Sequence, residues 1–176
     1  MKRFISYAAI ALTIAGLAGC NNQSKNDKHG NVTQEFSVPS DSLKEPVMGL
    51  GNLMTEHFTG KAWNQPLTSQ PEYDCAVYNV TFAPGTRNYW HSHGIGQILL
   101  CTEGVGFYQE KGKPARCLVS GDVVNIPANT VHWHGAAPDS RFTHIGITPK
   151  MSENPTEWFG EVTNDEYDNA TSSNNQ

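Results

Sequence analysis

The chain of 176 residues has little charge, few cysteines and only one long apolar run. Charged residues are 16% of it, and no run of lysine and arginine marks a nucleic-acid surface, so nucleic acid is excluded as a partner. The cysteines are Cys20, Cys75, Cys101 and Cys117, with no CxxC among them. With Cys20 set aside as below, three remain, and an odd number leaves at least one thiol free or paired between chains. Cys101 reads as a small buried hydrophobe. Helical periodicity is missing too. No stretch within 73–149 keeps a 3.6-residue period, and no internal repeat recurs, which disfavours a helical architecture there.

The single apolar run, Phe4 to Leu17, follows Lys2 and Arg3 and is too short for a spanning helix. Basic start, apolar centre and small residues describe an export signal over 1–19. Its end, Leu17-Ala18-Gly19-Cys20, resembles a bacterial lipobox, which implies lipidation of Cys20 as the first mature residue. Asn21, not Asp, follows. By resemblance to Gram-negative sorting signals, the protein is expected in the outer membrane facing the periplasm, anchored by lipid. Cleavage removes Lys2 and Arg3 from the 12 basic residues, leaving 10 against 17 acidic, a balance of −7. The polar stretch 20–31 reads as a flexible tether, and 164–176, "NDEYDNATSSNNQ", as a disordered tail. One domain remains, 32–163.

Within it, short apolar alternations lie between Gly- and Pro-containing turns. "DCAVYNVTF" (74–82), "GQILLCTEG" (96–104), "VGFYQE" (105–110), "ARCLVS" (115–120), "DVVNIP" (122–127), "TVHWHGA" (130–136) and "RFTHIGIT" (141–148) read as strands. The expected fold is all-β, a sandwich or barrel with its core over about 73–148 and an N-terminal extension. The segment 40–70 reads as a short strand or an outer wrap. Asn154-Pro155 reads as the start of a short helical turn.

Residues two apart on a strand share a face. His91 and His93 therefore point together, and so do His132 and His134; His144 lies on the next strand. Gln97 has the parity of the first pair if the Gly94-Ile95-Gly96 turn adds no bulge. A lone HxH reads as a solvent-facing pair. Two such pairs and a third-strand histidine in one small β-domain read as a shared metal site, since neutral imidazole is the commonest metal ligand. His29 and His57 lie outside this group.

In "GTRNYWHSHGIGQILLCTEG", Gly85, His91-x-His93, the position of Gln97 and Gly104 have the spacing of the first cupin motif. "GDVVNIPANTVH", with Gly121, Pro127-x-Asn129 and His132, has the spacing of the second. The chain thus resembles the cupins, which implies a single-domain jelly-roll β-barrel holding one divalent metal on His91, His93, Gln97 and His132. It departs from the pattern at Gln97, where Glu is usual, at Asn129, where Gly is usual, and at Ala136. Asn tolerates the left-handed conformation, so Asn129 is a mild change. "WHSHGIGQ", "HWHGAAP" and "THIGI", with "HFTG" and "VTNDEY", narrow the resemblance. They are similar to small cupins related to carboxymuconolactone decarboxylase-fused proteins, among them manganese-dependent bacterial hydroxynitrile lyases. That resemblance implies manganese, with Fe, Zn, Ni or Co as alternatives, further pocket histidines at His134 and His144, and a homodimer.

Glutamine brings no charge to such a site. A divalent ion held by three imidazoles and an amide keeps its full charge, which suits a bound anion or a developing alkoxide. The other reading of Gln97 leaves three protein ligands with water completing the sphere. His134 is the candidate base and His144 its partner; alternatively, one of them orients a ligand. Strand parity gives the cavity wall as Tyr78, Val80, Phe82, Leu99, Phe107, Phe142 and Thr148, an apolar chamber for a small molecule that doubles as barrel core. Three functions fit: a lyase acting on a hydroxynitrile or related hydroxy-carbonyl compound, a metal-dependent dioxygenase, and a non-catalytic module binding metal or small molecules. The missing carboxylate argues against the dioxygenase, since an amide cannot serve as a base.

Overall fold

Apolar alternation between Gly and Pro turns produces ten strands, joined by a 3-10 turn at Pro71–Tyr73 and followed by one α-helix, in the computed structural model, which describes residues 45–68 and 70–172. The expected export signal, Cys20 and the tether 20–31 lie outside the described residues. The strands are β1 (Asn52–Met54), β2 (Ala62–Pro66), β3 (Cys75–Phe82), β4 (His91–His93), β5 (Gly96–Glu110), β6 (Arg116–Val119), β7 (Val123–Pro127), β8 (His132–Ala136), β9 (Phe142–Pro149) and β10 (Thr156–Trp158). The helix is α1 (Asn164–Ser172). All pairings are antiparallel, in the order β1-β2-β3-β9-β5-β8-β4-β10, with β6 and β7 also paired to β5. The sheet curls into the expected single-domain all-β barrel. Among the described residues, no helix is long and apolar enough to cross a membrane.

The strand that closes the curl is β5. The segments 96–104 and 105–110, expected as two strands, form this one strand of 15 residues. Its first half pairs with β7 and β9, its second with β6 and β8. The transition is a bulge: Cys101 faces His144 and Glu103 faces Thr143, so Thr102 is skipped. Gly104 completes the corner at φ 71°, where a Cβ would stand 1.7 Å from the Arg141 carbonyl oxygen. An extra residue reverses side-chain parity and bends the strand. Leu99 and Cys101 therefore face the barrel interior before the bulge, and Tyr108 faces it afterwards.

That reversal corrects the placement of Phe107. Phe107 is expected in the cavity wall. It instead packs on the outer face of the barrel with Trp90, Trp133, Ala137, Val162, Tyr167 and Ala170. Two cores result. The inner one, with Val80, Phe82, Leu99, Ile126 and Phe142, lies beneath the histidines. The outer one lies beneath α1.

The tail expected to be disordered is also corrected: residues 164–172 are α1. Its start is a capping box, with Thr163 Oγ1 accepting from the Glu166 N–H (3.2 Å) and Glu166 Oε2 accepting from the Thr163 N–H (2.9 Å). Tyr167 and Ala170, three apart on one face, bury against the outer core. The Tyr167 hydroxyl donates to the Ala136 carbonyl at 2.7 Å. Arg87 donates to the Val162 carbonyl and to Asn164 Oδ1, both at 2.8 Å, and its guanidinium lies 4.6 Å from the Tyr167 ring centre. Polar composition hid this helix because only two of its residues need to be buried. The helical turn expected to start at Asn154-Pro155 does not form, and the strand β10 (Thr156–Trp158) follows these two residues instead. Asn154 is buried, where its amide donates to the Gly96 and Pro149 carbonyls and accepts from the Ile95 N–H, leaving the next residues free to pair as β10 with β4.

Replacing Tyr167 with Ala removes a ring and a buried hydrogen bond, and is expected to lower unfolding free energy by about 3 kcal/mol in urea titration. An unchanged midpoint would mean that the helix does not dock.

Candidate metal centre

The three histidines that could hold a metal ion come from two adjacent strands. β4 supplies His91 and His93 on one face, and β8 supplies His132, which is the register partner of His91. One ligand atom from each histidine lies within 4.8 Å of the other two. The ring centres of His91 and His132 are 4.1 Å apart, and those of His91 and His93 are 5.1 Å apart. All three residues are buried.

The Nδ1 atoms face outward to protein. His91 Nδ1 lies 3.0 Å from the Tyr89 carbonyl oxygen, and His132 Nδ1 lies 2.8 Å from that of Thr130. A carbonyl only accepts, so each of these nitrogens carries the proton and its Nε2 keeps a lone pair. Thr156 Oγ1 stands 3.2 Å from His93 Nδ1 and anchors that ring from β10. Asn129 adopts φ 57°, in the left-handed region, and its N–H donates to the His93 carbonyl at 2.8 Å. Asparagine thus does the work of glycine at this turn.

The Gly94-Ile95-Gly96 turn keeps parity, so Gln97 enters the same space, facing His93. Its Nε2 lies 2.6 Å from the Tyr78 hydroxyl and 3.4 Å from Thr148 Oγ1. Its Oε1, with His93 Nε2 and His132 Nε2, is buried without a hydrogen-bond partner among the described residues. Three buried acceptors left together would cost about 1–3 kcal/mol each. A divalent cation satisfies all of them, and an imidazole and amide set suits a transition metal. The residues present therefore fit the ion.

Above the cluster lies a cavity of about 140 Å³. Of the expected wall, Tyr78, Val80 and Phe82 line it, with His91, His93, Gln97 and His134. Leu99 and Phe142 are fully buried in the inner core, and Thr148 stands behind Tyr78 and Gln97. Sequence reading missed Met54, Phe58, Asn64, Asn88, Thr156 and Trp158 in the lining. The i, i+2 pair Thr156 and Trp158 carried a strand signal that the preceding Asn-Pro obscured. Among the described residues, no carboxylate lines the cavity.

His134 and His144 meet edge to face, with ring centres 4.8 Å apart. Asn88 anchors His134: its Oδ1 accepts from the His134 backbone N–H at 2.9 Å, and its Nδ2 lies 3.1 Å from the ring Nε2. His144 is fully buried, and neither ring nitrogen has a hydrogen-bond partner among the described residues. Burial lowers the pKa of all five histidines from the ordinary 6.5: to about 4 for His93, His132 and His144, and well below the ordinary value for His91 and His134, where neighbouring imidazoles add to burial. At neutral pH the five rings are uncharged, the form that binds metal.

No protein-family model matches the sequence. Among curated proteins, the chain is 38% identical to an (R)-mandelonitrile lyase of Granulicella tundricola over 111 residues, which covers 62% of this chain and 85% of that one. It is 33% identical over 76 residues to an acireductone dioxygenase of Alcanivorax borkumensis, covering 42% of this chain and 40% of that one. Among solved structures, a cupin-like protein from Thermotoga maritima superposes with a TM-score of 0.70 at 49% identity, covering 72% of this chain and 98% of that one.

The lowered histidine pKa values predict an acid-labile apoprotein. The unfolded chain takes up protons first, so this stability is complete above about pH 6.5 and is lost as pH falls through about 4. Thermal melts in chelator should show the melting temperature falling across that window, and a saturating divalent ion should raise it at pH 7. A flat pH profile in chelator would contradict the placement of these imidazoles.

Proposed function

The chain belongs to the cupin superfamily, and on that premise we propose that it is a metal-dependent lyase for small hydroxynitriles or related hydroxy-carbonyl compounds. The observation that carries this reading is a metal-binding donor set in a cavity without a carboxylate. The similarity to a mandelonitrile lyase supports the same chemistry. The ion, manganese by resemblance or else Fe, Zn, Ni or Co, would be held by His91, His93, His132 and Gln97. It would supply Lewis acidity undiminished by any ligand charge.

The protein's own residues do the rest. His134 is the base. Asn88 Nδ2 lies 3.1 Å from its Nε2 and 3.5 Å from its Nδ1; donation to the nearer nitrogen keeps the lone pair at Nε2 and the ring proton at Nδ1. A substrate hydroxyl that displaces this contact delivers its proton to Nε2; the carbon–oxygen bond becomes a carbonyl as the adjacent carbon–carbon bond breaks, and the departing carbon, cyanide in a hydroxynitrile, leaves with that electron pair and takes the proton from His134 as HCN. His144, packed against His134, is its partner in the low-polarity pocket. Phe58, Val80, Phe82 and Trp158 surround a small aromatic or aliphatic substrate and exclude water. Dioxygen chemistry, to which the acireductone dioxygenase match points, is the second reading. That match covers 40% of the relative, and the cavity offers no carboxylate base.

The lipobox at 17–20 supports a lipid anchor on Cys20 and a periplasm-facing place in the outer membrane. Mass spectrometry of the mature N-terminal peptide from membranes tests this, since an unmodified Cys20 would rule the anchor out. A homodimer rests on resemblance alone and is checked by sedimentation.

The purified protein, loaded with Mn, is expected to cleave mandelonitrile to benzaldehyde. His134→Ala should keep its metal and lose about 100-fold or more in kcat. Oxygen consumption with aromatic diols and no cyanohydrin cleavage would instead favour the dioxygenase. Full lyase activity in His134→Ala would remove the proposed base.

A further inference from the structure

An amide presents two unlike ends. Gln97 serves a cation only if Oε1, and not the NH2 group, faces the three imidazoles. A carboxylate in its place would have no wrong end. We infer that Tyr78 and Thr148 form a clamp that fixes this orientation, which makes Tyr78 a positioning residue for the fourth ligand. The inference rests on reading the histidine cluster as a metal site.

The nitrogen end of the amide faces both hydroxyls on one side: Gln97 Nε2 donates to Tyr78 Oη at 2.6 Å, with Thr148 Oγ1 a weaker second acceptor at 3.4 Å. The two hydroxyls are themselves hydrogen-bonded at 3.0 Å, so they hold the nitrogen end as a closed triangle and Oε1 is the end without a partner. Donation by the amide N–H groups also draws electron density onto Oε1, strengthening an otherwise weak neutral donor.

The backbone makes room for this arrangement. Tyr78 on β3 pairs with Gly146 on β9, and a Cβ on Gly146 would stand 2.5 Å from Tyr78 Cε2. The ring therefore lies flat across the neighbouring strand, in a slot that only glycine leaves open, with its hydroxyl reaching Gln97. The Tyr78 hydroxyl can accept from the amide while donating to Thr148.

A double-mutant cycle read by metal affinity tests the clamp. Dissociation constants for Mn²⁺ and Zn²⁺ are measured for the wild type, Tyr78→Phe, Thr148→Val, Gln97→Glu and the double variant Gln97→Glu with Tyr78→Phe. Melts in chelator confirm that each variant folds. Tyr78→Phe is expected to weaken binding about tenfold or more, the size seen when a group orienting a metal ligand is removed. Thr148→Val should weaken it in the same direction. In the Gln97→Glu background, where there is no orientation to fix, Tyr78→Phe should change the constant by less than about threefold, since the coupling runs through the amide. Equal losses in the two backgrounds would show that Tyr78 only packs, and would overturn the clamp. So would wild-type affinity in both Tyr78→Phe and Thr148→Val. A wild-type protein that takes up neither ion would overturn the metal site and the clamp with it, whereas tight binding without cyanohydrin cleavage would overturn the lyase reading alone.

Discussion

Buried lone pairs must find a partner, and much of this site follows from where four of them point. The Nδ1 hydrogens of His91 and His132 are bonded to backbone carbonyls two residues upstream, and Thr156 stands against His93. Each anchored ring has only Nε2 left to offer. Gln97 is anchored by its nitrogen and has only Oε1 left. Water or other side chains would compete for these atoms in an open site. Here the barrel wall covers Gln97 Oε1 and the Nε2 atoms of His93 and His132, His91 completes the group from the cavity lining, and one cation would answer all four at once.

The neutrality of this donor set shapes the chemistry. A carboxylate at position 97 would cancel part of the ion's charge and would itself be able to take a proton. Glutamine does neither, so on the proposed reading an ion held here would turn its full positive charge to a cavity walled by Phe58, Val80, Phe82 and Trp158, and proton transfer would fall to His134. The same neutrality brings a requirement that a carboxylate avoids, since the amide must be held the right way round. Tyr78, Thr148 and the slot over Gly146 meet that requirement from two strands that otherwise only build the wall.

Much of the metal centre was legible in the sequence because it follows local rules. His91 and His93 needed only strand alternation, and Gln97 needed a turn without a bulge. Asn129 needed only a residue that accepts positive φ. What failed depended on longer-range events. Phe107 was misplaced because one extra residue at Thr102 reversed the parity of β5, and nothing in "LLCTEGVGF" marks which residue bulges out. The helix at 164–172 was read as disorder because its composition is polar, although Thr163 and Glu166 carried a capping signal. Thr156 and Trp158 were missed because their strand exists only by pairing with β4, and an Asn-Pro start pointed to helix. The clamp on Gln97 joins β3, β5 and β9, whose relative register appears only in the folded sheet.

Whether three Nε2 atoms and one Oε1 hold a single metal ion is decided by anomalous diffraction from crystals grown with Mn²⁺ or Zn²⁺. One ion per chain is expected, with His91, His93 and His132 bound through Nε2 and Gln97 through Oε1, at about 2.0–2.2 Å for zinc. An ion bound elsewhere, or one that leaves Gln97 turned away with its nitrogen toward the metal, would contradict it.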